Sequence, residues 1–168
     1  MSTERSESLV ALLSENRSRF ESVIGGIGEH EAALSRPGGW TILGIVEHLC
    51  LVERGMLRLL RAARPAEDSL CDPGREEEID RRVKNRAIPV EAPGPVQPSG
   101  QFGTVAAALE ALTAARLETL AYVSGSGTDF DCVTAKHPKF GLVSGHEFLL
   151  ILAGHVDRHL AQIAEIRY

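Results

Sequence analysis

The side chains best suited to chemistry are two histidines four residues apart, His155 and His159, in the largely apolar run 148–168. Neutral imidazole is a good ligand for divalent transition ions, and a polar ring among apolar neighbours needs a partner. At about 100° per helical residue, Leu152, Val156, Ile163 and Ile166 share one arc with Phe148, and both histidines fall within about 20° of Phe148. Asp157 and Arg158 point elsewhere. One turn apart, at about 6 Å, the two rings can converge on a single ion with bonds of about 2.0–2.1 Å. One imidazole in an apolar stripe is ordinarily a satisfied core residue. A pair at this spacing points to metal and calls for a third ligand, because two imidazoles alone hold an ion weakly.

The element that carries the pair is well signalled. Ser144 and Glu147 form a capping box, so a helix is expected over residues 144–166. Three more helices are expected at 3–24, 41–63 and 104–123. In the first, Leu9, Leu12, Leu13, Phe20, Val23 and Ile24 recur at three- and four-residue steps. The second has Thr41 as cap, Trp40 before it as a staple residue, and a stripe of Ile42, Ile45, Val46, Leu49, Met56 and Leu60. Glu47, Arg54, Arg58 and Arg61 are expected on its far side. His48 borders the stripe, near Gly44 and Gly55, which implies close packing there or space kept open beside the imidazole. The third has Thr104 as cap and a stripe of Val105, Ala108, Leu109, Leu112 and Leu120.

Residues 64–103 differ in kind and hold six of the eight prolines. A charged surface helix is expected near 74–87, with i, i+4 pairs Glu77–Arg81, Glu78–Arg82 and Asp80–Lys84. The remainder reads as an extended crossover, in the first place a plain connection, with a substrate cover as the alternative. Residues 128–143 read as a loop, since Asp131, Cys132, Val133 and Thr134 are too short a run to carry a sheet. The class is therefore all-α, a four-helix bundle with a long crossover between its second and third long helices, in one domain over 1–168. Such bundles build metal sites in the core from facing helices. His48 becomes the natural third ligand, being the only histidine on the other three long helices.

Composition narrows the function. The chain has 168 residues, 43% of them hydrophobic, which suits one globular domain with a real core. A net charge of -5 with intermixed signs leaves no footprint for nucleic acid. No apolar run approaches a membrane span and no signal-like segment opens the chain. Three widely spaced cysteines, Cys50, Cys71 and Cys132, form no CxxC and no disulfide framework, which fits a reducing cytoplasm. His146-Glu147 opens like a zincin motif, but Leu150 occupies the position of its second histidine. His146 points away from the His155–His159 face. His137, in a loop before proline, reads as a turn residue ahead of a ligand, though it could approach the site mouth, and His30 has no partner in the pattern. Glu53 is the nearest acidic candidate for a general base, yet its direction puts it in the apolar arc rather than beside His48, so no base is assigned.

Gly39-Trp40-Thr41 followed by Glu47-His48-Leu49 resembles the second-helix motif of the DinB/YfiT-like superfamily. His137-Pro138-Lys139-Phe140-Gly141 and the block from His155 through His159-Leu160-Ala161-Gln162-Ile163 resemble its C-terminal signature. The resemblance implies a four-helix bundle, often dimeric, that binds a divalent ion through three histidines, here His48, His155 and His159. It also implies relatives with metal-dependent hydrolase assignments or low-molecular-weight-thiol transferase and isomerase activities, and others known as DNA-damage-inducible proteins.

Two function classes follow. One is a metal-dependent enzyme, a hydrolase or thiol S-transferase or isomerase acting on a small-molecule substrate. Three histidines leave an open position where a bound water is acidified or a thiol binds as thiolate. Zinc or nickel is the expected ion, since no cysteine or carboxylate competes on the same faces. The other is a non-catalytic, stress-associated metal-binding bundle. A homodimer is expected from the resemblance.

Overall fold

The computed structural model describes residues 3–168. Four long helices dominate: α1 (Thr3–Gly25), α3 (Ile42–Arg61), α5 (Val105–Gly125) and α6 (Gly145–Arg167). A single turn, α2 (Glu29–Ala32), precedes α3, and α4 (Pro73–Lys84) lies in the crossover. α1 packs on α5 and α6, and α3 also packs on α5 and α6, so α1 and α3 stand diagonally across the bundle. The expected caps are present. Thr41 accepts from Gly44 N, Thr104 from Ala107 N, and Ser144 with Glu147 closes a reciprocal capping box.

The core forms two apolar clusters. One gathers Leu9, Leu13, Met56, Leu60, Val123, Leu149 and Leu152. The other gathers Phe20, Ile24, Ile45, Leu49, Leu112, Val156 and Ile163. Between these positions on each helix sits a buried polar layer. Arg116, fully buried on α5, donates Nε and Nη2 to the two oxygens of Glu53 at 2.8 and 2.9 Å. Its Nη1 donates to Asn16 Oδ1 at 2.8 Å and to Leu13 O at 3.2 Å. Thr119 Oγ1 donates to Glu53 Oε1 at 2.8 Å. Asn16 Nδ2 donates onward to Ala153 O and to Asp157 Oδ1 on α6. All four long helices thus meet in one hydrogen-bonded network.

The crossover and the segment before α6 depart from expectation. The region read as a loop contains β2 (Val133–His137) and β3 (Gly141–Ser144), which pair antiparallel and extend to β1 (Arg64–Pro65) in the order β1-β2-β3. The strand run is longer than the four residues from Asp131, because Ala135 to His137 continue it to a turn closed by Gly141 at φ 71°. α4 forms as expected, capped by Asp72, with Glu78–Arg82 and Asp80–Lys84 paired. Ile79 and Val83 are nevertheless buried, and a methyl group at Gly154 of α6 would meet Val83 Cγ1 at 3.0 Å. Glu47 also corrects the sequence reading. It is 1% exposed rather than on a solvent face, because the crossover folds over it.

Removing one member of a buried ion pair leaves an uncompensated charge, so Glu53→Ala should lose about 3–5 kcal/mol. Urea unfolding of the purified variant measures this. A loss below about 1 kcal/mol, the range of an exposed pair, would show that the layer does not hold the bundle.

Candidate metal centre

His48 leaves α3 and His155 and His159 leave α6 where these two helices pack together. One ring nitrogen from each of the three lies within 4.8 Å of the other two. His48 Nε2 is 3.2 Å from His155 Nε2, and His159 Nε2 is 3.1 Å from the same atom. Two nitrogens each about 2.1 Å from one ion, at cis or tetrahedral angles, stand about 3.0–3.4 Å apart. The observed separations fit that spacing.

Hydrogen bonds at the outer nitrogens decide which way the lone pairs face. His48 Nδ1 lies 2.6 Å from Val96 O, an acceptor only, so Nδ1 carries the proton and Nε2 the lone pair. His159 Nδ1 donates likewise to Gln162 Oε1 at 2.8 Å. Both Nε2 lone pairs therefore face His155 Nε2. A neutral His155 can donate a proton to one of them and then opposes the other lone pair. If its proton sits on Nδ1 instead, that atom is buried without an acceptor among the described residues. No neutral arrangement satisfies all three rings; a cation at their centre would accept all three lone pairs and leave only the His155 Nδ1–H without an acceptor among the described residues.

Charge at the site has the same sense. Burial, then repulsion from His159 and His48, holds His155 well below the ordinary imidazole value. Burial followed by His48 pushes His159 down to about 3. Burial and Lys139 lower His48 against the opposing bond to Val96. The rings stay neutral, as ligation requires.

The crossover is more than a connection, since its one-turn 3-10 helix Gly94–Val96 supplies the carbonyl that orients His48. Gly44 permits this covering: a methyl group there would sit 3.3 Å from Thr41 Oγ1 and 3.5 Å from the Cβ atoms of Pro98 and Trp40. Gly55 has open space instead. The Trp40 ring lies 4.8 Å from that of His48, beyond its role near the cap. Gln162 was legible as the residue one turn beyond His159. Val96 was not, because its backbone carbonyl carries no sequence signal.

Among the described residues, none of the other candidates joins the three ligand nitrogens. Glu53 is committed to Arg116 and Thr119. His137 ends β2, where its Nδ1 accepts from Lys139 N and Phe140 N and its ring packs edge-on against Phe140 and Phe148. His146 is buried near Glu76 and Asp131, which Arg5 bridges. His30 is exposed on α2. Cys50 is buried, and the three cysteines are free.

Because the native imidazoles of His137 and His159 sit at about 4 and about 3, against 6.5 when unconstrained, the unfolded chain binds protons first on acidification. Metal-free protein should therefore lose stability as pH falls below about 6.5, and go on losing it towards about 4. Denaturant midpoints from pH 7 to 5 test this. The decline should be shallower in His159→Gln, and an equal slope in both proteins would contradict the assignment.

A model of the DinB superfamily matches residues 12–163. No curated protein matches the chain. Among solved structures, YfiT from Bacillus subtilis, described as a probable metal-dependent hydrolase with an unusual four-helix bundle topology, is similar at a TM-score of 0.65 and 15% identity, over 99% of this chain and 87% of that one. TT2238, described as a four-helix bundle protein, is similar at a TM-score of 0.57 and 20% identity, over 95% of this chain and 98% of that one. The four-helix architecture is shared with both, and the family match spans the bundle from α1 to the last turns of α6: the chain belongs to the DinB superfamily.

Proposed function

We propose that this protein is a metal-dependent enzyme that holds one divalent ion, zinc or nickel, on His48, His155 and His159 and acts on a small-molecule substrate. The observation that carries the reading is the convergence of three neutral imidazoles, two of them with lone pairs fixed inward by Val96 and Gln162. Three protein ligands leave a position for an exogenous group, the pattern of a catalytic rather than a structural site. An ion in this setting supplies Lewis acidity, lowering the pKa of a bound water or thiol.

The chain's own residues set the rest of the chemistry. Among the described residues no carboxylate is hydrogen-bonded to the three rings. Glu53 is held by Arg116, and Glu47 by the crossover. The other groups acting electrostatically on the triad are Lys139, Arg158 and Arg86, which are cationic, and the His137 imidazole. Such surroundings favour an anionic nucleophile or substrate and offer no carboxylate to take up its proton. Hydrolysis, in keeping with the description of YfiT, and thiol transfer both meet this constraint. The absence of a placed base also supports a second reading, a non-catalytic metal-binding bundle.

Elemental analysis of purified protein should find stoichiometric ion. His155→Ala should weaken binding by more than the 10–100-fold typical of losing a mere supporting partner of a ligand. His30→Ala should bind as the parent does. Stoichiometric metal in a His48/His155/His159→Ala triple variant would place the site elsewhere. Metal-loaded protein should turn over esters, amides or thiol conjugates and lose that turnover in His159→Ala. No metal-dependent turnover across the panel would leave the binding reading ahead.

A further inference from the structure

We infer that Glu47 is a positioning residue for the candidate metal centre, acting through the crossover on its helical neighbour His48. The inference rests on the proposed metal reading for its significance, but its geometry stands apart from any ion. Glu47 is 1% exposed, though α3 turns it towards what would otherwise be solvent. Its Oε1 accepts from Ser99 N at 2.7 Å, Ser99 Oγ at 3.1 Å and Gln101 Nε2 at 3.4 Å, and its Oε2 accepts from Gly100 N at 3.0 Å. Three residues before Ser99, Val96 O accepts from His48 Nδ1 at 2.6 Å. Adjacent residues of one helix therefore hold both ends of the same short segment.

The two grips differ in strength. A buried carboxylate with several amide and hydroxyl donors makes charge-assisted bonds, whereas His48 makes one bond to a neutral carbonyl. The segment's other hydrogen bonds are local, Val96 N to Pro93 O, Gln97 N to Gly94 O and Gln97 Nε2 to Ala92 O, and Pro98 packs near Gly44. Residues 94–101 form only a single 3-10 turn, and Pro98 contributes no N–H. Glu47 is thus the anchor, and the Val96 carbonyl stays on His48 because Glu47 fixes the chain just beyond it. Removing the anchor would free Val96, and with it the constraint that keeps the His48 proton on Nδ1 and its Nε2 lone pair facing the other two rings. Outer partners of this kind tune ligand orientation.

Glu47→Gln tests this. The substitution keeps volume but replaces an acceptor oxygen with an amide donor that opposes the crossover N–H groups. The first readout needs no metal: imidazole nitrogen NMR of metal-free protein reports the His48 tautomer. The parent should show protonated Nδ1, and Glu47→Gln a tautomer mixture, with faster amide exchange at Ser99 and Gly100. The second readout is chelator competition with zinc, where Glu47→Gln should bind about 10–100-fold more weakly. Ser99→Ala, which removes only the hydroxyl contact, guards against misfolding of the first variant and should lose about 2–10-fold. An unchanged His48 tautomer in Glu47→Gln, or in Ser99→Ala if the first does not fold, would overturn the inference even if zinc binds. A parent that binds no zinc would overturn the metal reading instead, while the tautomer comparison still decides the role of Glu47.

Discussion

A cation buried in the middle of a helical bundle is the constraint on which the other features depend. Arg116 has no access to water, so its N–H groups must be met inside, and they are met by α3 through Glu53 and by α1 through Asn16 and Leu13 O. The cost of leaving any of them unmet is far larger than the difference between alternative apolar packings. Leucine and isoleucine stripes tolerate a helix sliding or rotating by a fraction of a turn, whereas a bidentate Arg–carboxylate pair does not. The polar layer therefore fixes the register of α5 against α3 and α1.

That register reaches the histidines through α6. Asp157 lies between His155 and His159 in sequence and accepts from Asn16 at 2.9 Å and Arg19 at 2.6 Å. Asn16 in turn receives Arg116. Holding Asp157 towards α1 fixes the rotation of α6 and so aims the two imidazoles on its other side at α3. On α3, Glu53 is fixed by Arg116 less than two turns beyond His48. Both helices that present the triad are anchored by one network, which is how three nitrogens from two helices come within reach of one another. Arg158 adds a second tether on α6, donating to the carbonyls of Asn85 and Ile88 and drawing the crossover over the same region.

What was legible in the sequence follows from the range of each interaction. The four long helices were legible because apolar periodicity and caps are local, and the structure places Thr41, Thr104 and Ser144 at their N-caps. The approach of His155 to His159 was legible for the same reason, as helical geometry alone brings i and i+4 together. Adding His48 needed the further premise of a bundle. Glu53 was read as lying in the apolar arc, and it does. Its partner Arg116 continues the α5 stripe four residues after Leu112, a charged residue at a core position, and that conflict was the available signal for a buried pair. Glu47 was misplaced because a helical projection records only the angle. It cannot show that a segment more than fifty residues later folds across that face. The small sheet escaped for a similar reason, since β1 and β2 pair residues such as Arg64 and Thr134 across seventy positions of chain.

The fate of the carboxylates limits what chemistry this scaffold can perform. In a helical HExxH site the general base is an acidic residue on the ligand-bearing helix. Here the two acidic residues nearest His48 on α3 are both spent on structure, Glu53 on a guanidinium and Glu47 on backbone amides. Ionised Glu47 is favoured further: burial alone would raise its pKa, but the bonds from Ser99, Gln101 and Gly100 outweigh that and hold it below the ordinary carboxylate value. A carboxylate so stabilised is a poor proton acceptor, because accepting a proton would break the bonds that keep the crossover in place. Under the proposed enzymatic reading, proton movement at the triad would rely on the incoming nucleophile, the substrate or solvent rather than on either of these two carboxylates. On that reading, nucleophiles readily deprotonated near neutral pH once bound to an ion, such as thiols, would need the least help from the protein.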